Sequence, residues 1–473
     1  MHRIRHRILH AICSTVLLAS PLHARQDGTA LREHLDAMRQ RAAAQHAAAA
    51  DPAAWLARQR KATLQSEALL TRAEHLPGLL PQYLFLRAQY LADGDVAFRA
   101  VFGQYLSWYQ TFVGDYPAAA RSFAIAEPAT PDDAPSPLTP GARWQAADAV
   151  ETFVRLARGR RAVFFNENHS APQTRTLTVQ LLARLRAEGF DTFAAETLYA
   201  DDMDAMAQRG YPTDASGFYT REPVYAFMLR RALALGYRVV AYEAESGAGG
   251  DAREREQAEN LYRRVHAAHP QARLLLNAGY GHVQKRGDYL GGRSMAQHYQ
   301  RISGIEPLVI EQTMLFGRSD AADDHPYWRA VMQALAPRRP IMFTAADGTP
   351  WSLRPGAYDI SVFFPESRLR EGRPDWLDLG GLRQPYTVHA AELCLQRMPC
   401  LVEARRREEP VSAVPLDRLL FADGQTDGLL WLPPGRYRLT ARDSAHRLLR
   451  QFNTEVRDTQ KQTPGTRPGV EEH

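Results

Sequence analysis

The sequence predicts an α/β fold: a central, mostly parallel sheet flanked by helices, with an N-terminal all-helical region before it and a small β-rich C-terminal module after it. Three observations point there. Five short apolar runs each stop at a carboxylate or at a glycine leading to a histidine: Phe164 to His169, Ala194 to Glu196, Val240 to Glu243, Leu276 to His282 and Val309 to Glu311. Their ends lie 29 to 47 residues apart, enough for a helical return between parallel strands. Outside residues 145–345 the texture changes, to Ala-rich and Arg-rich helical patterns before and to alternating strand patterns after.

Arg3, Arg5 and Arg7 precede an apolar stretch from Ile8 to Ser20 and the small-residue site Leu22-His23-Ala24, the pattern of a secretory signal peptide over residues 1–24. Cys13 lies inside that stretch rather than at its end, which argues against a lipid anchor. No later run reaches about 18 apolar residues, so no integral membrane segment is expected after cleavage, and the protein is expected to be periplasmic or secreted. Losing those three arginines takes the net charge from +5 to +2, so no nucleic-acid partner is expected. Cys394 and Cys400 then remain, and an oxidising compartment favours a short-loop disulfide over two buried thiols. With 473 residues, two or three domains are expected.

Residues 25–128 read as helices punctuated by Pro77-Gly78, Pro81, Gly94 and Gly114. Tyr116, Ala119, Phe123, Ala126 and Pro131 match the second helix of a tetratricopeptide repeat, but the upstream half matches poorly and no second copy follows. A plain helical bundle and a repeat-like unit both stay open. The aromatic stripe Phe98, Phe102, Tyr105, Trp108, Tyr109 and Phe112 reads as core, with a protein partner for these helices as the alternative. Residues 129–144 form a Pro-rich linker or extended crossover. Within 145–345, Ser170 can cap a helix that Pro172 opens, Leu177, Leu181, Leu182 and Leu185 face inward, and Gly189 closes it. Helices also fit 222–235 and 251–268. Residues 346–457 are expected to be β-rich, from the turn-then-strand units around Asp359 to Phe364 and Arg438 to Arg442, although the first strand could join the central sheet. Residues 458–473 read as a disordered tail.

Groups just past the strand carboxyl ends of an open parallel sheet share one crevice. Glu167, His169, Glu196 and His282, with Glu243 and Glu311 beside them, are therefore placed at one rim. Each alone has a plain structural reading as a cap or a hydrogen-bonded core residue; their convergence is what predicts a site. Two imidazoles and two carboxylates suit either of two hydrolytic chemistries. They can ligate a divalent metal (Zn or Mn) that keeps an open position for water. Alternatively, a carboxylate can orient a histidine that activates water directly. Ser246, in Glu245-Ser246-Gly247-Ala248-Gly249-Gly250, lacks a nucleophile elbow and a phosphate-loop lysine, and that stretch reads as a mobile loop over the crevice. His325 with Asp320, Asp323 and Asp324 reads as a solvated acidic loop.

Asn166-Glu167-Asn168-His169-Ser170, followed by Gly189-Phe190 and Glu196-Thr197, resembles the Gly-Glu-x-His opening and strand-end Glu of the erythromycin esterase, ChaN-like and Tiki superfamily. Gly279-Tyr280-Gly281-His282 is similar to its second Gly-x-x-His element, and Arg253 to Asn260 resembles the esterase helix Arg-Asp-x-x-Met-Ala-x-Asn. The chain differs at Asn166, Glu254 and Gln257, which stand where the pattern has Gly, Asp and Met. The resemblance spans roughly residues 145 to 315 and implies that Arg253 enters the site from a helix. It also implies an exported hydrolase acting on a small-molecule or peptide substrate, with His169 as general base, Glu167 and Glu196 orienting it or polarising water, and His282 and Arg253 stabilising negative charge. The alternative it implies is a haem or iron binding protein without catalysis, for which Tyr199, Tyr242 and Tyr280 would be the axial candidates.

Overall fold

The computed structural model describes residue 44 and residues 51–458. The expected signal peptide and all but the first residue of the expected tail lie outside the described residues. Among the described residues from 51 on, four helices come first: α1 (Pro52–Glu74), α2 (Leu79–Ala92), α3 (Val96–Phe112) and α4 (Tyr116–Ser122). Asp51, Asp95 and Asp115 cap α1, α3 and α4 by accepting backbone N–H groups at 2.9–3.1 Å. The aromatic stripe of α3 is core, with Phe98 to Phe112 buried along its length. The repeat-like reading fails at α4, which stops at Ser122 and leaves Phe123 and Ala126 outside any helix. The chain leaves to pack elsewhere: Glu127 N–H donates to Asp323 O at 2.9 Å. These helices form a bundle around α3.

The Pro-rich segment is an extended crossover, not a loose linker. Ala134 N–H donates to Leu353 O at 2.7 Å, Trp351 Nε1 donates to Pro135 O at 3.1 Å, and Asp133 pairs with His325 and Arg354 at 3.2 and 3.3 Å. It ends in β1 (Gln145–Asp148) and α5 (Ala149–Ala157).

Strand β2 (Ala162–Glu167) leads through a 3-10 turn, Pro172–Arg175, into α6 (Thr176–Ala187), then β3 (Thr192–Ala195) and the short helix α7 (Met203–Arg209). Ser170 does not cap this unit: its hydroxyl pairs with Ser107 of α3 at 2.6 Å, and the 3-10 turn carries the chain into the helix instead. Next come α8 (Pro223–Ala234), β4 (Arg238–Val240), α9 (Gly250–Tyr262), β5 (Leu274–Gly279), α10 (Met295–Ser303), β6 (Leu308–Glu311), α11 (Pro326–Leu335), β7 (Ile341–Thr344) and β8 (Ile360–Ser361). Six of these strands form one parallel sheet in the order β4-β3-β5-β2-β6-β8. Phe165 and Leu275 face one core with the α6 leucines, while Phe164 and Leu276 face the other with Tyr299 of α10. Both faces are covered, which is why the runs lack polar alternation. Because β8 pairs with β6, the α/β region extends past residue 345, and the first of the expected C-terminal strands belongs to the central sheet. An antiparallel pair, β1 with β7, brings the start of this region beside its end.

The remaining chain carries β9 (Leu369–Arg370), β10 (Arg373–Pro374), β11 (Gln384–His389), α12 (Ala390–Leu393), β12 (Cys400–Arg406), β13 (Asp417–Phe421), β14 (Asp427–Leu432), β15 (Gly435–Asp443) and β16 (Leu448–Val456). Strands β13-β12-β15-β16 form one antiparallel sheet and β11-β14 another. Cys394 and Cys400 are joined in a disulfide. Among the described residues no helix is long and apolar enough to cross a membrane.

Buried arginines tie the regions together. Arg373 meets both Asp417 oxygens at 2.7 Å and donates to Gly114 O at 2.6 Å, and Arg418 donates to Phe112 O and Arg221 O. Removing one partner of a buried pair strands the other charge. Arg373→Met is therefore expected to lower the unfolding free energy by about 3 kcal/mol in urea titration.

Candidate active site

The sheet order places the carboxyl ends of β4, β3, β5, β2 and β6 side by side, about 4.8 Å apart. Glu167 ends β2. Arg175, delivered by the 3-10 turn, clamps its carboxylate from Nε at 2.8 Å and from a terminal nitrogen at 2.7 Å, and Asn277 of β5 donates to the same group. Burial alone would raise the Glu167 carboxyl, but the Arg175 charge and hydrogen bonds, with His169, hold it well below the usual carboxylate range. Glu167 Oε1 lies 2.9 Å from His169 Nδ1. This assigns the ring proton to Nδ1 and leaves Nε2 facing Glu196, 3.6 Å from Oε2.

Glu196 follows β3 and occupies the middle of the row. Its Oε2 accepts Gly279 N–H at 2.6 Å, and its Oε1 lies 3.3 Å from Arg253 and 3.4 Å from His282 Nε2. Burial pushes this carboxyl up, yet His282, His169, Arg253 and the Gly279 N–H together keep it below its ordinary value. His282 lies in the turn Tyr280–Val283 after β5, with Nδ1 2.8 Å from Glu254. Burial disfavours its protonation, but Glu254 and Glu196 outweigh that and raise its pKa above 6.5.

Arg253 enters from α9, bonding Glu243 at 2.8 Å and lying 3.4 Å from His282 Nε2. Four and seven residues on, along the same face, Gln257 donates to Glu243 Oε1 at 2.7 Å and Asn260 to Glu243 O at 2.9 Å. Thus Glu167, His169, Glu196, Arg253 and His282 form one enclosed cluster, each at most 4% exposed, with Glu243 bracing it. Glu311 stands apart: Thr313 and Met314 donate to its Oε1, and burial raises its carboxyl.

Two residues beside this cluster adopt left-handed backbone, Thr197 at φ 62° and Tyr280 at φ 42°. A β-branched residue there is strained, and such strain collects where chains are forced to present functional groups. Asn166 needs no such freedom. It lies within β2, and its side-chain oxygen accepts Gln312 N–H at 2.6 Å, lacing β2 to β6.

Several expectations change. The acidic loop is buried, not solvated: Asp324 accepts Arg318 N–H at 2.7 Å, and His325, 1% exposed, pairs with Asp133. The glycine-rich stretch is tethered at its start, where Glu256 accepts Glu245 and Ser246 N–H at 2.7 and 3.0 Å. Tyr242 is buried and Tyr280 donates to Asn168 at 3.1 Å, so neither phenol is presented outward to an iron. As metal ligands the residues fit poorly. Glu167 commits both oxygens to Arg175, and the Arg253 guanidinium stands against the Glu196 and His282 atoms that would bind the ion. Among the described residues no group of three or more His, Cys, Asp or Glu is arranged to hold a metal ion.

Residues invisible to the strand-end pattern complete the cluster. Arg175 lies eight positions past Glu167 in a turn, and Glu222, which pairs with Arg175 at 2.9 Å, reads as an ordinary cap for α8. Glu254 was legible as the acid at the Asp position of the helix motif, but its bond to His282 was not. Tyr219, whose ring stacks on His169 at 4.1 Å, carries no sequence signal.

No protein-family model matches the chain, and no curated protein sequence matches it. Among solved structures, the type III effector HopBA1 aligns at TM-score 0.30 and 12% identity over 48% of this chain and 100% of its own. A bacterial protein toxin aligns at 0.28 and 14% over 48% of this chain and 52% of its own. RRSP, a MARTX toxin effector domain from Vibrio vulnificus CMCP6, aligns at 0.27 and 15% over 48% of this chain and 51% of its own. This chain thus spans about half the length of the latter two, and scores of this size carry no argument about function.

A Cβ at position 279 would lie 2.3 Å from His169 Nε2 and 3.0 Å from Glu196 Oε2. Gly279→Ala is expected to lower stability by about 1–3 kcal/mol through overpacking. Gly94→Ala, where a Cβ meets nothing within 4 Å, serves as the control in the same urea titration.

Proposed function

We propose that the chain is an exported hydrolase of the erythromycin esterase and Tiki-like type, cleaving an ester or amide bond with water that His169 activates. The observation that carries this reading is the opposition of two unlike histidines across Glu196. His169 is held by Glu167 with Nε2 turned toward Glu196, whereas His282 is held toward its protonated form by Glu254 and stands beside Arg253. The geometry thus gives the two rings different tasks: His169 presents Nε2 as the base, and His282, beside Arg253, is the electrostatic partner.

In this reaction His169 Nε2 takes a proton from water as the water oxygen bonds to the substrate carbonyl carbon. The carbonyl π pair moves onto oxygen, and Arg253 with protonated His282 stabilises that negative charge. As the carbonyl re-forms, the bond to the leaving oxygen or nitrogen breaks and His169 returns its proton to that atom. Arg253 supplies the fixed cation, so no step requires a metal. Glu196 spaces the two histidines and, with Gly279 N–H, fixes their orientation. The Cys394–Cys400 disulfide supports an oxidising compartment and hence export.

His169→Ala and His282→Ala are each expected to reduce turnover of ester or amide reporters by at least 10³-fold while the folded state persists by circular dichroism. Unchanged turnover in both variants would sink the reading. Because His282 acts protonated and its pKa is raised above 6.5, activity is expected to fall as pH rises through that raised value. The stability contributed by its proton follows the same sign. Glu254→Gln removes the largest favourable charge, so the basic limb of the kcat profile is expected to move to lower pH.

A further inference from the structure

We propose that Tyr219 is a further catalytic residue of this site, its phenol O–H donating a hydrogen bond to the oxyanion that develops on the substrate carbonyl. The proposal rests on the hydrolytic reading above. Tyr219 is 1% exposed, and its ring lies face to face with His169, centroids 4.1 Å apart and planes 24° apart. Its hydroxyl is buried with no hydrogen-bond partner. Leaving a buried hydroxyl unpaired costs about 1–3 kcal/mol, and most buried polar groups avoid it. Other buried tyrosines do avoid it: Tyr225 donates to Glu196 O at 2.5 Å, Tyr237 to Leu182 O at 2.7 Å, and Tyr299 pairs with His266 at 2.7 Å. Tyr109 and Tyr242 are also unpaired, but Tyr109 packs on Phe112 and neither ring stacks on His169 or His282.

The position of Tyr219 is built, not incidental. Its N–H donates to Thr197 Oγ1 at 3.3 Å, and Phe218 N–H donates to Thr197 O at 3.2 Å. Thr197 is the strained residue that follows Glu196, so one backbone distortion presents both the carboxylate and the phenol. Trp108 and Phe218 meet the Tyr219 ring edge-on at 5.8 and 5.3 Å and prevent it from swinging to solvent. After burial, Glu196, Tyr280 and Glu167 are the groups that most disfavour its ionisation. Burial and these groups push its pKa well above 10, so it keeps its proton and serves as a hydrogen-bond donor, not as an acid. A neutral, preoriented donor of this kind is worth most when the charge appears only in the transition state.

The test is Tyr219→Phe in the full chain, measured with an ester reporter beside the parent and His169→Ala. The expected result is a fall in kcat of about 100-fold with KM within threefold, because the donor acts on charge absent from the bound substrate. The melting temperature is expected to stay level or rise, since the substitution removes an unpaired buried hydroxyl. A kcat within threefold of the parent, with His169→Ala inactive, overturns the role of Tyr219 and leaves the hydrolytic reading standing. Full turnover by His169→Ala overturns both. A melting temperature several degrees lower overturns the proposal without any activity measurement, because the hydroxyl would then hold an internal partner.

Discussion

The site depends on one interaction, the clamp of Arg175 on Glu167, both fully or nearly fully buried. Five glutamates, Glu167, Glu196, Glu222, Glu243 and Glu254, are buried at the head of the sheet, where like charges in a poorly polarisable medium drive one another toward neutrality. Arg175 binds two of them and Arg253 pairs with the other three, so the two guanidiniums divide the acids between opposite flanks of the crevice. Without Arg175, Glu167 would lack the charge that keeps it below the usual carboxylate range, and His169 would lose the acceptor that fixes its ring.

That clamp is anchored outside the central sheet. Glu222 accepts from Tyr116 of α4 at 2.8 Å, and Tyr116 itself lies under Arg373 and against Trp376. Ser107 of α3 bonds Ser170, the residue after His169. The N-terminal helices and the C-terminal module thus form the back wall that holds Arg175 and His169 in place, and the geometry of the cluster is a property of the whole chain.

The strands and their terminal acids were legible because strands covered on both faces must be apolar throughout, and such runs end abruptly when they reach the rim. Glu167, His169, Glu196 and His282 could be read that way, and Arg253 through a motif on its helix. Arg175, Glu222 and Tyr219 could not. Their positions follow from a 3-10 turn, a helix cap and a left-handed threonine, all outcomes of tertiary packing that leave no periodic trace. The same blindness explains the crossover and the acidic loop. Proline and aspartate content announces irregular backbone, but whether it is solvated depends on the partners found across the fold, here Leu353 and Trp351 for the crossover and the Arg318 backbone for Asp324.

The arginines that join the ends of the chain also bear on the order in which it folds. Gly114 O and Phe112 O receive side-chain donors only from Arg373 and Arg418, 259 and 306 residues downstream. A Cβ at Gly114 would lie 2.2 Å from Arg418 O, so the seat for that late segment is cut into the early one. Contacts so distant in sequence close last, because the loop entropy must be lost before they return anything. The helices can form from local contacts, whereas their docking through Arg373 and Arg418, and with it the support of Tyr116, Glu222 and Arg175, needs β10 and β13. A chain cut short before residue 417 would carry every residue of the buried cluster yet lack Asp417 and Arg418, and with them part of the support behind Arg175.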